Sequence, residues 1–144
     1  MPVLADSNVL LRVLQRHHPM HEAAWAAVRK LNAQQELVLA PQNIVELWVV
    51  ATRPIEQNGL GMAPARAAMY LGRINRNFPI LHDTPEIHQE WKRLVVEYEV
   101  SGKKAHDTRL VAAMIVHGVK RILTFNVADF RRYQAIDVLD PRQV

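Results

Sequence analysis

Short apolar runs alternate along this chain with longer segments whose apolar residues recur at helical spacing. The short runs predict buried strands, because they hold only four or five residues and are almost continuously apolar. They stand at 2–5, 36–40, 78–81 and 121–125, and a last short strand is expected near 136–140. Strands of this kind, separated by helices, indicate a parallel sheet that is covered on both faces. The expected fold class is therefore α/β, a parallel sheet with helices on both faces.

The longer segments predict six helices, several of which have recognisable ends. They span 8–15, 21–35, 42–53, 64–76, 84–101 and 106–117. Pro41 stands where a first helical turn accepts proline, and Gly118 ends the sixth helix. Residues 53–64 hold two prolines and two glycines without any period, which predicts a loop. No repeat or composition change divides the chain, so 1–144 is expected to form a single domain.

Composition limits the class of protein. With 144 residues, 49% of them hydrophobic and 22% charged, the chain has the content of a globular domain. The lack of cysteine excludes disulfides and thiolate zinc sites. No apolar run reaches membrane-spanning length, and the first residues do not resemble a signal peptide, so we expect a soluble, cytoplasmic protein with no membrane partner. The net charge of +4 favours nucleic acid as a partner, although a solvated basic surface is the simpler explanation.

One residue departs from the apolar pattern of its segment. Glu46 stands in the stretch NIVELWVV, residues 43–50, with apolar residues on both sides. Ionising an unpaired carboxylate in apolar surroundings costs several kcal/mol or more. A glutamate in the middle of a helix caps nothing. Glu46 is therefore expected to meet either a cation from solution or a buried arginine, Arg12 or Arg53.

Further acids stand where the predicted strands end or a helix begins. Asp6 follows the first strand, and Asn126 and Asp129 follow the strand at 121–125. Asp107 lies at the start of its helix, on the face that also carries apolar residues. Ligands of such sheets bind at the carboxyl ends of the strands, so these side chains and Glu46 converge if the strands are neighbours. Taken singly, each aspartate is equally well explained as a helix cap or turn residue.

Carboxylates that converge repel one another unless a cation lies between them. Hard oxygen ligands suit Mg²⁺ or Mn²⁺, which also engage phosphate oxygens. An acidic site in a basic protein is consistent with basic residues that hold a phosphate backbone while the acids hold metal at the scissile phosphate. The basic residues expected to contact such a substrate are Arg53, Lys103, Lys104 and Arg109.

Four segments resemble the successive motifs of PIN domains, particularly the VapC toxins of prokaryotic toxin–antitoxin pairs. They are LADSNVLL, IVELWVVATR, AHDTRLVAAM and ILTFNVADFRRY, in that order along nearly the whole chain. The resemblance implies that Asp6, Glu46 and Asp107 are the central metal-binding acids, with Ser7 and Asn8 bracing the first of them. It also implies a single PIN-like domain.

The chain departs from the PIN pattern at the fourth acid. PIN domains often have aspartate where this chain has Asn126, and Asp129 stands three residues further on. The resemblance therefore leaves open whether Asp129 or Asn126 completes the site, and whether one ion or two are bound. The expected catalytic and metal-binding set is Asp6, Glu46, Asp107 and Asp129, with Asn126 beside it.

The activity implied by the resemblance is that of a Mg²⁺- or Mn²⁺-dependent endoribonuclease. Metal-activated water would attack the RNA phosphodiester and leave 5′-phosphate and 3′-hydroxyl ends. The resemblance also implies a small antitoxin protein as partner and a homodimer. Trp25, Met69 and Tyr70 are the candidate dimer contacts, and their alternative place is the core.

Two other functions compete with this interpretation. A catalytically silent PIN domain that binds RNA or a partner protein would keep the fold without the chemistry, and Asn126 in place of an aspartate favours it. A phosphohydrolase of the haloacid dehalogenase type needs aspartates two apart after the first strand, where this chain has Asp6-Ser7-Asn8. The adjacent His17 and His18 are interpreted as part of a surface loop rather than as ligands of one ion.

Overall fold

A four-stranded parallel sheet with helices packed against it makes up the computed structural model, which describes all 144 residues. The strands are β1 (Val3–Ala5), β2 (Leu37–Val38), β3 (Arg121–Leu123) and β4 (Asp137–Leu139). The helices are α1 (Ser7–Leu14), α2 (His21–Ala33), α3 (Pro41–Thr52), α4 (Pro64–Asn77), α5 (Pro85–Glu97), α6 (Lys104–His117) and α7 (Val127–Phe130). None of the helices combines the length and the apolar content needed to cross a membrane.

The order of the strands determines where a ligand can bind. The sheet runs β2-β1-β3-β4, and all neighbouring strands are parallel. The chain therefore passes from β1 to β2 on one side and later returns to β3 on the other side of β1. In open α/β sheets, the carboxyl ends of two strands at such a reversal frame the ligand crevice. Residues that follow β1 and β3 are thus brought side by side.

Alternate residues of the strands point into two separate cores. Val3 and Ala5 pack with α1, α2 and α3, whereas Leu4 between them packs with α5 and α6. In β3, Leu123 joins the first core and Ile122 joins the second. Both faces of the sheet are therefore covered by helices, which confirms the α/β class that the apolar runs predict.

Several predicted elements are shorter than the sequence pattern indicates. The run at 78–81 contributes a single bridge, between Ile80 and Leu39, rather than a strand. The helix expected at 84–101 ends at Glu97, because Glu99 adopts a left-handed backbone with φ 51°. The strand expected at 121–125 ends at Leu123, and the next residue, Thr124, donates its N–H to the Leu139 carbonyl and its hydroxyl to Asp6.

Helix α6 begins earlier than predicted, and α7 was not predicted at all. Gly102, at φ 64°, lets the chain turn directly into a helix that starts at Lys104. Asp107 consequently closes the first turn of α6 instead of starting the helix. Helix α7 has only four residues, which is too short for an apolar period to be visible. It places Asp129 in its first turn.

Candidate active site

Asp6 is fixed at the carboxyl end of β1 by the elements on either side. It is the N-cap of α1, and its carboxylate accepts the Ser7 N–H at 2.8 Å. Its other oxygen accepts a hydrogen bond from the Thr124 hydroxyl at 2.8 Å and a longer one from Asn8 Nδ2 at 3.4 Å. Only 4% of Asp6 is exposed. The cap explanation of this residue is therefore confirmed, and the same geometry holds its carboxylate at the edge of the sheet where a ligand would bind.

Thr124 is a residue of the site that the sequence analysis missed. The buried Thr124 hydroxyl donates to Asp6. Its oxygen also accepts hydrogen bonds from Asn8 Nδ2 at 3.1 Å and from the Asn126 N–H at 3.0 Å. Asn8 in turn accepts the Phe125 N–H at 3.3 Å. These bonds tie the end of β1 to the end of β3. A threonine directly after a buried strand, beside a strand that ends in aspartate, was the available signal.

Glu46 lies across the crevice on α3, and its surroundings differ from the prediction. Its carboxylate accepts the Ser7 hydroxyl at 2.7 Å and Gln42 Nε2 at 2.8 Å. The side chain is only half-buried, and its apolar neighbours Val45 and Val49 are 61% and 49% exposed. The expectation that Glu46 is enclosed by apolar residues is therefore wrong. Two of the apolar neighbours of Glu46 thus lie on the solvent side of α3, whereas Leu47 is buried.

Neither arginine that could have neutralised Glu46 does so. Arg12 donates to Gln15, and Arg53 donates to the main-chain carbonyl of Asn58 in its own loop. The carboxylates that form ion pairs lie elsewhere: Glu36, Asp83, Glu90, Glu97 and Asp140. Glu46 thus has neutral partners only, and the alternative of a structural salt bridge is excluded.

Gln42 joins the two helices that carry Glu46 and Asp107. Its Nε2 donates both to Glu46 and to the main-chain carbonyl of His106 at 2.8 Å. Its Oε1 is buried without a hydrogen-bond partner. Gln42 therefore orients Glu46 and leaves one acceptor free inside the site. Its spacing of four residues before Glu46, one helical turn, was the sequence signal for this contact.

Burial and the charges of neighbouring acids change the protonation of Asp6 and Asp107. Burial raises the pKa of Asp6 to about 6, and the charge of Glu46 adds to the rise, against the lowering effect of the Thr124 and Ser7 hydrogen bonds. Burial also raises the pKa of Asp107 to about 6, and the charges of Asp6, Asp129 and Glu46 act in the same direction. The charge of His106 partly offsets the rise at Asp107, and both pKa values stay above the 3.8 of an ordinary aspartate.

The acids surround the crevice without forming a ready ligand cage. No three His, Asp or Glu side chains lie close enough together to hold one ion in this arrangement. Like charges separate unless a cation attracts them. The donor set nevertheless fits Mg²⁺ or Mn²⁺, because it consists of hard carboxylate oxygens, and the unpartnered Oε1 of Gln42 can accept a hydrogen bond from a bound water. Glu46, Asp107 and Asp129 are partly exposed and can move inward.

The remaining predicted residues differ in how they relate to the site. Asn126 contributes its main-chain N–H to Thr124, whereas its side chain is exposed and makes no hydrogen bond. Lys103 and Lys104 are exposed, about one helical turn before Asp107. Arg109 forms an ion pair with Asp83 at 3.2 Å. The two lysines are therefore the predicted substrate contacts that remain unpaired beside the acids.

Comparisons with known proteins agree with this architecture. The family model of the PIN domain matches residues 3–136. The chain is 27% identical over 142 residues to Ribonuclease VapC24 of Mycobacterium tuberculosis (strain CDC 1551 / Oshkosh), with 94% of both proteins covered. It resembles VapBC2 from Rickettsia felis bound to a DNA fragment from their promoter (TM-score 0.73, 12% identity, 97% and 98% covered). It also resembles a toxin–antitoxin complex from Klebsiella pneumoniae (TM-score 0.68, 20% identity, 99% of each chain covered).

Proposed function

This chain belongs to the PIN domain family, and from that premise we propose that it is a metal-dependent endoribonuclease, the toxin of a VapBC-type toxin–antitoxin pair. One observation carries the proposal: four carboxylates, Asp6, Glu46, Asp107 and Asp129, gather at the carboxyl end of a parallel sheet and form no ion pair with Lys or Arg. The similarity to a curated ribonuclease across 94% of the chain supports the same activity.

The proposal assigns metal binding to Asp6, Glu46 and Asp107. A bound Mg²⁺ or Mn²⁺ supplies a Lewis acid and a water of lowered pKa. Asp6 is the fixed member of the set, because three hydrogen bonds orient its carboxylate. Glu46 is oriented by Ser7 and Gln42 from the opposite side. These hydrogen bonds orient both carboxylates before a metal ion binds, so metal binding requires less reorganisation of the side chains.

Asp129 is assigned to the attacking water and not to direct metal binding. It lies in the first turn of α7, near enough for its charge to raise the pKa of Asp107. A carboxylate in this position can orient a water and accept its proton. Asn126, whose side chain points to solvent, carries no charge and is assigned no chemical step. Lys103 and Lys104 would bind the phosphate backbone beside the acids.

The protein is expected to cleave single-stranded RNA in the presence of Mg²⁺ or Mn²⁺ and to stop when EDTA removes the metal. The physical reason is that carboxylates alone repel the phosphate, whereas a cation among them attracts it. The measurement is gel analysis of a labelled RNA and of the phosphate on the new ends. Binding of RNA with no cleavage under any divalent metal would instead establish the silent PIN domain.

We also propose a homodimer that binds a small antitoxin. The likeness to a solved toxin–antitoxin complex supports an antitoxin as a partner of this chain. Exposed apolar side chains support self-association. Trp25 on α2 and Met69 on α4, two of the predicted contacts, are 44% and 52% exposed and do not lie in the core. Large apolar side chains on a surface mark interaction sites when they are grouped.

Light scattering at micromolar concentration is expected to give twice the mass of the chain. Met69→Lys should shift the protein toward monomer, because a charge at an apolar contact must lose its water. Val96→Lys is the matched control, since Val96 is 77% exposed on α5, a different helix. A wild-type protein that stays monomeric contradicts the homodimer.

A further inference from the structure

Three arginines surround one tyrosine on a surface away from the carboxylates. The guanidinium carbons of Arg66 and Arg73 lie 5.9 Å and 5.7 Å from the centre of the Tyr70 ring on α4. Arg16, just after α1, also acts on this ring: hydrogen bonding to Arg66 and the charges of all three arginines lower the pKa of Tyr70. We call Arg16, Arg66, Arg73 and Tyr70 the arginine patch.

No acidic side chain neutralises the arginine patch. The arginines that form ion pairs are Arg93, Arg109, Arg121 and Arg142, none of which belongs to it. A cavity of about 860 Å³ beside the patch is lined by Arg16, His17, His18 and Arg66, and no Asp or Glu is among its lining residues. Cations that converge without a counter-charge repel one another, so the surface favours an anionic ligand.

Two adjacent cavities, which share no lining residue, lie between the carboxylates and the arginine patch. A cavity of about 360 Å³ between α1 and α3 is lined by Ser7 and Glu46 at one end and by Leu11 and Val50 further along. The Val50 carbonyl accepts the Leu60 N–H at 3.0 Å, which attaches segment 60–63 to the end of α3. This segment lines the cavity of the arginine patch.

The length of α1 sets the distance between the carboxylates and the arginine patch. From Ser7 to Leu14 the helix rises roughly 10 Å at about 1.5 Å per residue. An extended strand of a few nucleotides covers that distance. The second half of the loop at 53–64 lines the cavity beside the arginine patch, whereas Arg53, the predicted substrate contact, turns back to Asn58.

We propose that the arginine patch is an RNA subsite, in which the guanidinium groups bind phosphates and the Tyr70 ring stacks on a base a few nucleotides from the scissile bond. This inference rests on the proposed ribonuclease function. Guanidinium forks match phosphate oxygens, and an aromatic ring beside them accepts any base.

The proposed dimer contacts border the arginine patch: Trp25 lines a cavity with Arg16 and Tyr70, and Met69 lies one helical turn from Arg66 and Arg73. A two-fold contact centred on the patch would bring the same arginines of both copies together. The dimer contact is therefore assigned to the apolar edge formed by Trp25 and Met69, and the guanidinium groups and Tyr70 are assigned to RNA.

The test measures RNA binding separately from cleavage. A fluorescein-labelled single-stranded RNA of about 12 nucleotides, a length within the usual site sizes, is titrated in EDTA and followed by anisotropy at several salt concentrations. The test variant combines Arg16→Gln, Arg66→Gln and Arg73→Gln. The control variant combines Lys92→Gln, Arg93→Gln and Lys120→Gln, which remove the same charge from other exposed positions.

For the test variant, the slope of log binding constant against log salt concentration is expected to be less steep by about 2. Each lost phosphate contact on a single strand accounts for about 0.7 of this slope. The control variant should keep the wild-type slope. Tyr70→Ala should weaken binding roughly 10-fold, within the range of one base–aromatic stack, whereas Tyr70→Phe keeps the ring and should bind like wild type. Should the triple variant fail to fold, Arg73→Gln alone must still change the slope by about 0.7.

Equal slopes for wild type and test variant would overturn the subsite. So would a test variant that binds RNA normally but loses its dimer or its antitoxin, since the arginine patch would then contact protein. The proposed function is judged independently by cleavage of a dinucleotide, which is too short to reach the arginine patch and should be cleaved equally by both proteins. Patch-dependent RNA binding without any metal-dependent cleavage would retain the subsite and reject the nuclease.

Discussion

Replacing Glu46 by glutamine is expected to abolish RNA cleavage and to leave the fold intact. The amide keeps the volume of the carboxylate but loses the charge that would hold a divalent ion. Its oxygen can still accept the Ser7 hydroxyl, now 2.7 Å from the carboxylate. Its nitrogen would face the Nε2 of Gln42, which now donates to Glu46 and to the His106 carbonyl at 2.8 Å. The substitution therefore loses one hydrogen bond, about 1 kcal/mol, and the unfolding temperature of the metal-free protein should fall only slightly.

The size of the loss distinguishes a metal ligand from a residue that acts through water. Removing a residue that contacts a metal ligand or a metal-bound water typically lowers metal affinity or activity about 10- to 100-fold. We expect a loss of cleavage of this size for Asp129→Asn. Glu46→Gln and Asp107→Asn should lose more than that, together with measurable Mn²⁺ binding in calorimetric titrations. Glu97→Gln is the control, since Glu97 is an exposed partner of Arg93 on α5.

Two results would change this assignment. If Glu46→Gln cleaves RNA at the wild-type rate, Glu46 serves only the hydrogen bonds between α1 and α3. If Asp129→Asn abolishes Mn²⁺ binding as completely as Asp107→Asn, Asp129 is a direct ligand and the site holds four acids. The Glu46 result bears on the activity, and the Asp129 result bears only on how the site is completed.

The architecture could be predicted because it depends on features that are local in the sequence. Apolar runs such as 2–5 and 121–125 are shorter than a buried helix and so favour strands, and the helical segments between them favour parallel pairing. The ends of elements depend on single residues instead. The φ of 51° at Glu99 ends α5, and the φ of 64° at Gly102 allows α6 to begin at Lys104. Neither angle could be inferred from an apolar period.

The charged residues of the candidate site could be predicted from the sequence, whereas its neutral residues were missed. Asp6, Glu46 and Asp107 stand out because a carboxylate near apolar residues needs a partner. Thr124 and Gln42 were missed because their sequence signals, a threonine after a strand and an amide one helical turn before a glutamate, are weak and common. Their roles appear only when tertiary contacts join β1 to β3 and α3 to α6. The prediction that apolar residues enclose Glu46 is wrong because apolar residues on a helix can also face solvent.

The metal-free protein is expected to become more stable when Asp6 is replaced by asparagine, and only above about pH 5. The pKa of Asp6 is about 6 in the folded protein and 3.8 ordinarily, so the folded state binds this proton more tightly. Stability from this group is therefore full below about pH 4, falls as pH rises, and is lost above about pH 6. The ionised form costs about 3 kcal/mol at neutral pH, from about 1.36 kcal/mol for each pKa unit.

Asparagine cannot recover all of this free energy, because its amide nitrogen would face the Thr124 hydroxyl. That oxygen already accepts hydrogen bonds from Asn8 and from the Asn126 N–H. One imperfect hydrogen bond costs about 1 to 2 kcal/mol, so a net gain of about 1 to 2 kcal/mol remains at pH 7. Denaturant unfolding at several pH values in EDTA measures it. Asp137→Asn, an exposed carboxylate on β4, is the control for net charge.

Adding Mg²⁺ or Mn²⁺ at pH 7 should reverse the order of the two proteins. An ion that binds only the folded state stabilises it in proportion to the logarithm of its concentration over the dissociation constant. Wild type should gain stability because the ion neutralises Asp6 and the acids around it, whereas the asparagine variant has lost the central charge and should gain little. A wild-type unfolding temperature unchanged by millimolar metal would contradict a shared metal site. A variant that is no more stable than wild type in EDTA would instead show that the ionised Asp6 is well solvated or well paired, and the reason for expecting a cation beside it would be lost.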